Sequence, residues 1–346
     1  MPESPNDLKN VDLSKSQHDQ TTYLGRIKHF TAATNPLNLT LTSKELEFCK
    51  KVVTAQNRGK LEDELDSETY QKLTVKDLYL YKNQYDSAYH PTTGELQPWW
   101  GRMSSQVPMN MVITGAMVAL SHTQFLNIFW QLANQTYNAA VNYTNRSGGD
   151  AAGVQNLALA WGCASFSAVG ASFQAQKMIN NNATLQKMNP AILRSLGPFA
   201  GIVAANLINI PVMRNEEFTK GIAVTTESGE TLGHSTELTY PAIGKVVFGR
   251  LCIAFCCVIC PSMMMKSISA IRPVKKLLQH KSLGRPTDVT LTILSVGVCL
   301  ALAVPPALAI FPQRVEVEVE RLPEELKKKV RSKYPEMKSV FYNKGL

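Results

Sequence analysis

Between Val107 and Phe311 the chain carries five apolar runs, each close to bilayer length and nearly free of charge. They cover about residues 107–130, 151–173, 195–213, 246–265 and 289–312. An α-helix needs roughly 20 apolar residues to cross the ~30 Å hydrocarbon core of a bilayer. Arg250, near the start of the fourth run, can stretch its charged head toward the interface. Buried core helices of a soluble protein are the alternative. Five runs that all match the thickness of a membrane favour the membrane. The expected fold class is an all-α integral membrane protein with about five transmembrane helices and a soluble helical N-terminal extension.

The flanks read differently. Residues 1–101 hold 12 Lys/Arg against 14 Asp/Glu and form the soluble extension. Thr42 followed by Glu45 predicts a capping box and a helix through about Ala55. Thr74 followed by Asp77 predicts a second, through about Tyr89, and Pro91 and Gly94 break the chain after it. Residues 102–313 form the transmembrane domain and 314–346 a C-terminal tail. That tail opens on alternating Val and Glu from Val315 to Glu320, a strand period, and Pro323 then starts a short charged helix to Lys333.

The net charge of +9 comes from the membrane half and the tail. It suits orientation and anionic lipid headgroups. No basic patch interleaved with aromatics points to nucleic acid. Loops 174–194 and 266–288 carry three and six Lys/Arg, whereas loops 131–150 and 214–245 carry one and three. Five crossings then put the N-terminus on the cytoplasmic or matrix side and the C-terminus opposite. The first twenty residues show no secretory signal, and with Glu3, Asp7, Asp12 and Asp19 but no Arg they do not resemble a cleaved mitochondrial presequence. Four of the seven cysteines, Cys252, Cys256, Cys257 and Cys260, fall inside the fourth run. That is no secreted disulfide framework. As small hydrophobes they pack well, and no metal site is expected from them.

The stretch Trp130–Arg146 carries the most chemistry. Asn134, Asn138 and Asn142 recur every four residues and share one helix face, with Gln131, Gln135, Thr136 and Tyr143 around them. Amides at the mouth of a membrane span are costly without polar partners. Asn206 and Asn209 form a second group, followed by Pro211 and Arg214. Amides supply donors and acceptors, and Arg a planar fork for a carboxylate. Together they suit a small zwitterion or a carboxylate with few charges, although hydrogen bonding between helices needs the same residues. Pro211, Pro261 and the pair Pro305–Pro306 are expected to break or kink their helices and so to serve as gates. His122 is expected to be a packing residue. No P-loop, nucleophile elbow or dinucleotide fingerprint occurs, so no catalytic residue, enzyme activity or cofactor is expected.

Several longer segments resemble the sideroflexins, also called mitochondrial tricarboxylate carrier-like proteins. They are Tyr85–Glu95, Gly101–Gly115, Trp130–Gly148, Ala204–Arg214, Ile310–Gln313 and Phe341–Leu346. Thr92 departs from the family's usual Asp, Trp99–Trp100 replaces an aliphatic pair, and the cysteine-rich fourth run is no family requirement. The resemblance implies a multi-pass protein of the mitochondrial inner membrane without a cleaved presequence. It implies transport of serine, and of other small neutral amino acids, to feed one-carbon metabolism. Asn134, Gln135, Asn138, Asn206 and Asn209 fall inside these segments and, with Arg214, are the expected substrate-binding residues. A membrane scaffold in iron or haem handling or respiratory-chain assembly, with partners on residues 1–101, is the alternative from another class. A citrate carrier is a third, but a tricarboxylate needs more cations than Arg194, Arg214 and Arg250 near the span ends.

Overall fold

The computed structural model describes residues 8, 10–13, 15–90, 93–145 and 151–345. Pro91, Thr92 and Arg146 lie outside these residues, as do Glu3 and Asp7. The chain divides into two compact units: Met1–Asn110 with Ala140–Gly149, and Met111–Ala139 with Asp150–Leu346.

The first unit is helical. It holds α1 (Tyr23–Ala33), α2 (Ser43–Asn57), the short α3 (Leu61–Glu64) and α4 (Ser67–Lys72), and α5 (Val75–Ala88). Both expected capping boxes form: Thr42 and Thr74 each accept a bond from the backbone N–H three residues on, and Glu45 and Asp77 reach back to the cap. Such caps satisfy donors that the first helical turn leaves open. Val52, Val53, Leu61, Leu65 and Leu78 close the core. Gln97 donates to the Asn145 side chain at 2.9 Å, and Asn145 donates to the Gly101 carbonyl at 3.1 Å. Gly101 is tight against Thr144, whose Cγ2 lies 2.9 Å from where a Cβ would be.

The second unit contains most of α6 (Gln106–Leu120) and α7 (Gln124–Thr144), then α8 (Ala151–Asn181), the short α9 (Ala183–Gln186), α10 (Pro190–Met213), α11 (Asn215–Lys220), α12 (Thr239–Ile268), α13 (Arg272–Leu278), α14 (Gly284–Ala309) and α15 (Glu324–Lys333). By length and composition, α10, α12 and α14 are apolar enough to cross a membrane. Only 28% of the most apolar window of α10 is buried within the chain, so its remaining apolar surface needs lipid or other apolar cover. Phe125, Phe166 and Leu302 likewise point outward, 74%, 85% and 72% exposed. The helix α8, at 31 residues, is long and uncharged through Gln176, but Ser, Gly and Gln dilute its hydropathy.

The first expected span is corrected. Residues 107–130 do not form one helix: α6 ends at Leu120, and Ser121–Thr123 turn the chain into α7. Gly115 lies against Ile293 and Gly297 against Met111, so α6 runs antiparallel to α14. Glycine permits that approach, since a Cβ on Gly115 would meet the Ile293 Cα at 2.7 Å. At 15 residues α6 is about 22 Å long at 1.5 Å per residue. The prolines also behave differently from a chain break. The helices α10, α12 and α14 continue through Pro198, Pro211, Pro261, Pro305 and Pro306.

A four-stranded antiparallel sheet completes the unit, in the order β2 (Thr231–Ser235), β1 (Ile222–Thr225), β4 (Ser339–Asn343), β3 (Arg314–Glu318). The Val–Glu alternation of the tail gives β3 as expected, and α15 follows Pro323. The tail pairs with the segment between α10 and α12, where Val224 faces Tyr342, and within the tail Val317 faces Val340. Val224, Val330, Val340 and Tyr342 are buried beneath them. Two long helices, α12 and α14, lie between the paired segments, so together they return the chain to the same end.

Candidate solute site

The amide-rich α7 packs along α8, and α8 along α10. Ser172 Oγ donates to Asn127 Oδ1 at 2.9 Å, and Trp161 Nε1 donates to Thr136 Oγ1 at 3.2 Å. These contacts make α7 and α8 antiparallel. On the other side of α8, Ser172 faces Gly197 and Ala168 faces Gly201, while Ala164, Ala168 and Ala205 form one cluster. Thus α10 is antiparallel to α8 and parallel to α7. Small residues every four positions, Ala164–Ala168–Ser172 and Gly197–Gly201–Ala205, let the two backbones approach.

Gln131 fills the centre of this seam. It is fully buried, and its carboxamide lies against Gly201. A Cβ on Gly201 would fall 2.8 Å from Gln131 Cδ and 2.9 Å from the Ala168 carbonyl oxygen. Neither Gln131 Nε2 nor Oε1 has a hydrogen-bond partner, and neither does the buried Ser165 Oγ, three residues before Ala168. Leaving a buried polar group unpaired costs about 1–3 kcal/mol.

The expected site residues distribute as follows. Asn134 and Gln135 are buried on α7, and Asn138 is half-buried one turn further on. Asn206 on α10 is half-buried and donates to the Ile202 carbonyl of its own helix at 2.9 Å. Asn209 is half-buried and continues the stripe Gly197–Gly201–Ala205 at the same spacing. With Gln131 level with Gly201 on parallel helices, Asn138 falls near the level of Ile208 and Asn209. That level is ~10–12 Å along the bundle from Gln131. Arg214 is not brought to the Gln131 centre. It ends α10, about 20 Å along the helix from Gly201. Its guanidinium grips Glu217 through Nε (2.8 Å) and Nη2 (2.5 Å) and donates from Nη1 to the Lys344 carbonyl at 2.7 Å. Pro261 and Pro305 are buried within α12 and α14, and Pro211 and Pro306 are not fully so.

Gln131, read from the sequence only as a neighbour of the Asn stripe, and Ser165 are not among the expected site residues. A signal existed: Asn127, Gln131 and Gln135 form their own four-residue stripe, and all three are buried. It is the stripe turned inward, whereas Asn138 and Asn142 are half-buried. The remaining reactive groups lie elsewhere. His122 Nε2 accepts from Arg285 at 3.1 Å. Cys299 approaches Met264 Sδ at 3.5 Å, and all seven cysteines are free. No His, Cys, Asp or Glu cluster among the described residues could hold a metal ion.

The comparisons with known proteins follow from the same sequence. The sideroflexin family profile matches residues 12–346. Sideroflexin-1 of Mus musculus is 39% identical over 97% of this chain and 98% of its own length. Sideroflexin-3 of Rattus norvegicus is 38% identical over the same shares. Sideroflexin-1 of Sus scrofa is 39% identical, again over 97% and 98%. No solved structure matches. With a family match over nearly its whole length, apolar membrane-length helices and an end-to-end likeness to sideroflexins 1 and 3, the chain belongs to the sideroflexin family.

Proposed function

We propose that the chain is a carrier of serine and other small neutral amino acids in the mitochondrial inner membrane, supplying one-carbon metabolism. The observation that carries this reading is the uncharged polar seam between α7, α8 and α10. Polar groups inside a membrane bundle are costly, and where the bundle leaves them unpaired a polar solute can supply the missing partners. Asn134, Gln135, Asn138, Asn206 and Asn209 line the path in this reading, and Arg214 stands at its mouth. Neither the seam side chains Asn127, Gln131 and Ser172 nor the buried Ser165 of α8 is charged, which suits a net-neutral solute and disfavours a tricarboxylate. Pro211, Pro261, Pro305 and Pro306 sit inside helices that would flex during alternating access.

In this reading the three membrane-length apolar helices α10, α12 and α14, together with the long uncharged α8, supply four of the five expected crossings. The α6–α7 hairpin replaces the fifth, so the chain reverses once more than the sequence suggested. In this reading the basic loops around Lys177 and Lys275 face the matrix.

Purified protein in liposomes, assayed with labelled serine, alanine and citrate, tests the proposal. Serine uptake above protein-free vesicles, with citrate excluded, is the expected result. Citrate uptake without serine uptake would replace this reading with the tricarboxylate one. A scaffold reading draws on a different observation: the first unit has its own core and exposes Leu24, Leu37 and Trp99 at 62%, 69% and 60%. Deleting residues 1–101 separates the two. Intact flux with lost cellular function favours the scaffold.

A further inference from the structure

Gln131 is the most buried amide of the seam and the least satisfied. It is fully enclosed, yet its two donors and its acceptor have no protein partner. One turn away the same seam satisfies an amide without difficulty, since Asn127 accepts from Ser172. The geometry is also specific. Gly201 has no side chain, and any other residue there would press into the Gln131 carboxamide and the Ala168 carbonyl. The unpaired Ser165 hydroxyl is on the same helix as Ala168, three residues earlier. A Gln that served only packing could be Leu or Met at less cost, because the unpaired groups would vanish. The polarity is therefore retained for something that enters the seam.

We propose that the Gln131 carboxamide, with the Ser165 hydroxyl three residues along α8 from Ala168, coordinates the transported solute when α7 parts from α8 and α10. This rests on the carrier reading above and names the contact within it. The solute class follows from the groups. An amide offers donors and an acceptor without charge, and a hydroxyl offers both. They fit a small net-neutral molecule that itself carries donors and acceptors, such as an amino acid with a hydroxyl side chain. The closed seam leaves no side chain of α10 between Gln131 and the backbone, so the solute must be compact. Ser121–Thr123, the three-residue turn before α7, is where α7 can pivot.

The test uses the full-length protein in liposomes, with labelled serine as the probe. Melting temperature is measured in detergent with and without serine. Wild type should take up serine and melt higher with it. Gln131→Met, which keeps the shape and removes the polar atoms, should melt no lower than wild type without serine. Its uptake should fall at least tenfold, and serine should no longer raise its melting temperature. Uptake within twofold of wild type in Gln131→Met overturns the proposal and leaves the carrier reading standing. Wild-type protein that moves no serine sinks the carrier reading and this inference with it. Should Gln131→Met fail to fold, Ser165→Ala decides. Uptake cut several-fold at the wild-type melting temperature upholds the site, and unchanged uptake overturns it.

Discussion

Ser172 Oγ donates to Asn127 Oδ1 at 2.9 Å across 45 positions of sequence, and both residues are buried. This bond ties α7 to α8 at the level where Gly197 approaches Ser172. Inside membrane bundles such bonds contribute about 0.6 kcal/mol on average and up to ~1.7 kcal/mol. Ser172→Ala and Asn127→Leu should each lower stability by about 1 kcal/mol. The double variant should cost less than their sum. A thermodynamic cycle on the four proteins measures the coupling, and strictly additive losses would show that the bond contributes nothing.

Gly201 and Gly170 predict opposite outcomes for the same substitution. A Cβ at Gly201 meets a backbone carbonyl at 2.9 Å, which cannot move without shifting a helix. Overpacking of that kind costs about 1–3 kcal/mol. Nothing lies within 4 Å of the Cβ direction at Gly170. There Gly→Ala should be neutral or stabilising by up to ~1 kcal/mol through helix propensity. Melting temperatures of Gly201→Ala and Gly170→Ala should therefore move in opposite directions or differ by several degrees. Equal shifts would contradict the α8–α10 packing.

Two contacts gather one end of the bundle. Arg285 donates to His122, and Arg194 pairs with Asp288 at 2.6 Å. The sheet gathers the other end by pairing residues 224–225 with 341–342. In a cysteine-free background, His122→Cys and Lys276→Cys should react with an impermeant thiol reagent from one side of the membrane. Ser228→Cys and Lys338→Cys should react from the other. Labelling of His122→Cys from the Ser228 side would reject the α6–α7 reversal.

Arg214 holds the C-terminal strand by its fork. Three of its nitrogens are engaged, two with Glu217 and one with the Lys344 carbonyl. Arg214→Ala should expose the last residues to carboxypeptidase, with digestion running into β4. Arg214→Lys should protect poorly, because one ammonium cannot reproduce the planar set of bonds. Digestion as slow as that of wild type in both variants would show that the sheet holds the strand unaided.

Cys49 in the first unit is buried and donates to Gln84 Oε1 at 3.1 Å. Burial pushes its thiol up to about 11, because ionising it in the core loses hydration. The thiolate is the reactive form. At pH 8 the folded protein should leave Cys49 unmodified by iodoacetamide, and denatured protein should label fully. Mass mapping of the peptide containing Cys49 reads the result, and rapid labelling in the folded state would contradict its burial.

The sequence alone determined what local physics can fix. Thr42–Glu45 and Thr74–Asp77 set helix starts because a capping box needs only four residues. The Val–Glu alternation set β3, and apolar length set α10, α12 and α14. Mean hydropathy did not resolve the turn at Ser121–Thr123, because three polar residues lower the average of a 24-residue apolar run without dividing it. Nor could spacing say which of two amide stripes faces inward. Asn134–Asn138–Asn142 and Asn127–Gln131–Gln135 are equally periodic on one helix. The tertiary structure decided between them, by seating Gln131 where Gly201 and Ala168 leave room for an amide and for nothing attached to α10.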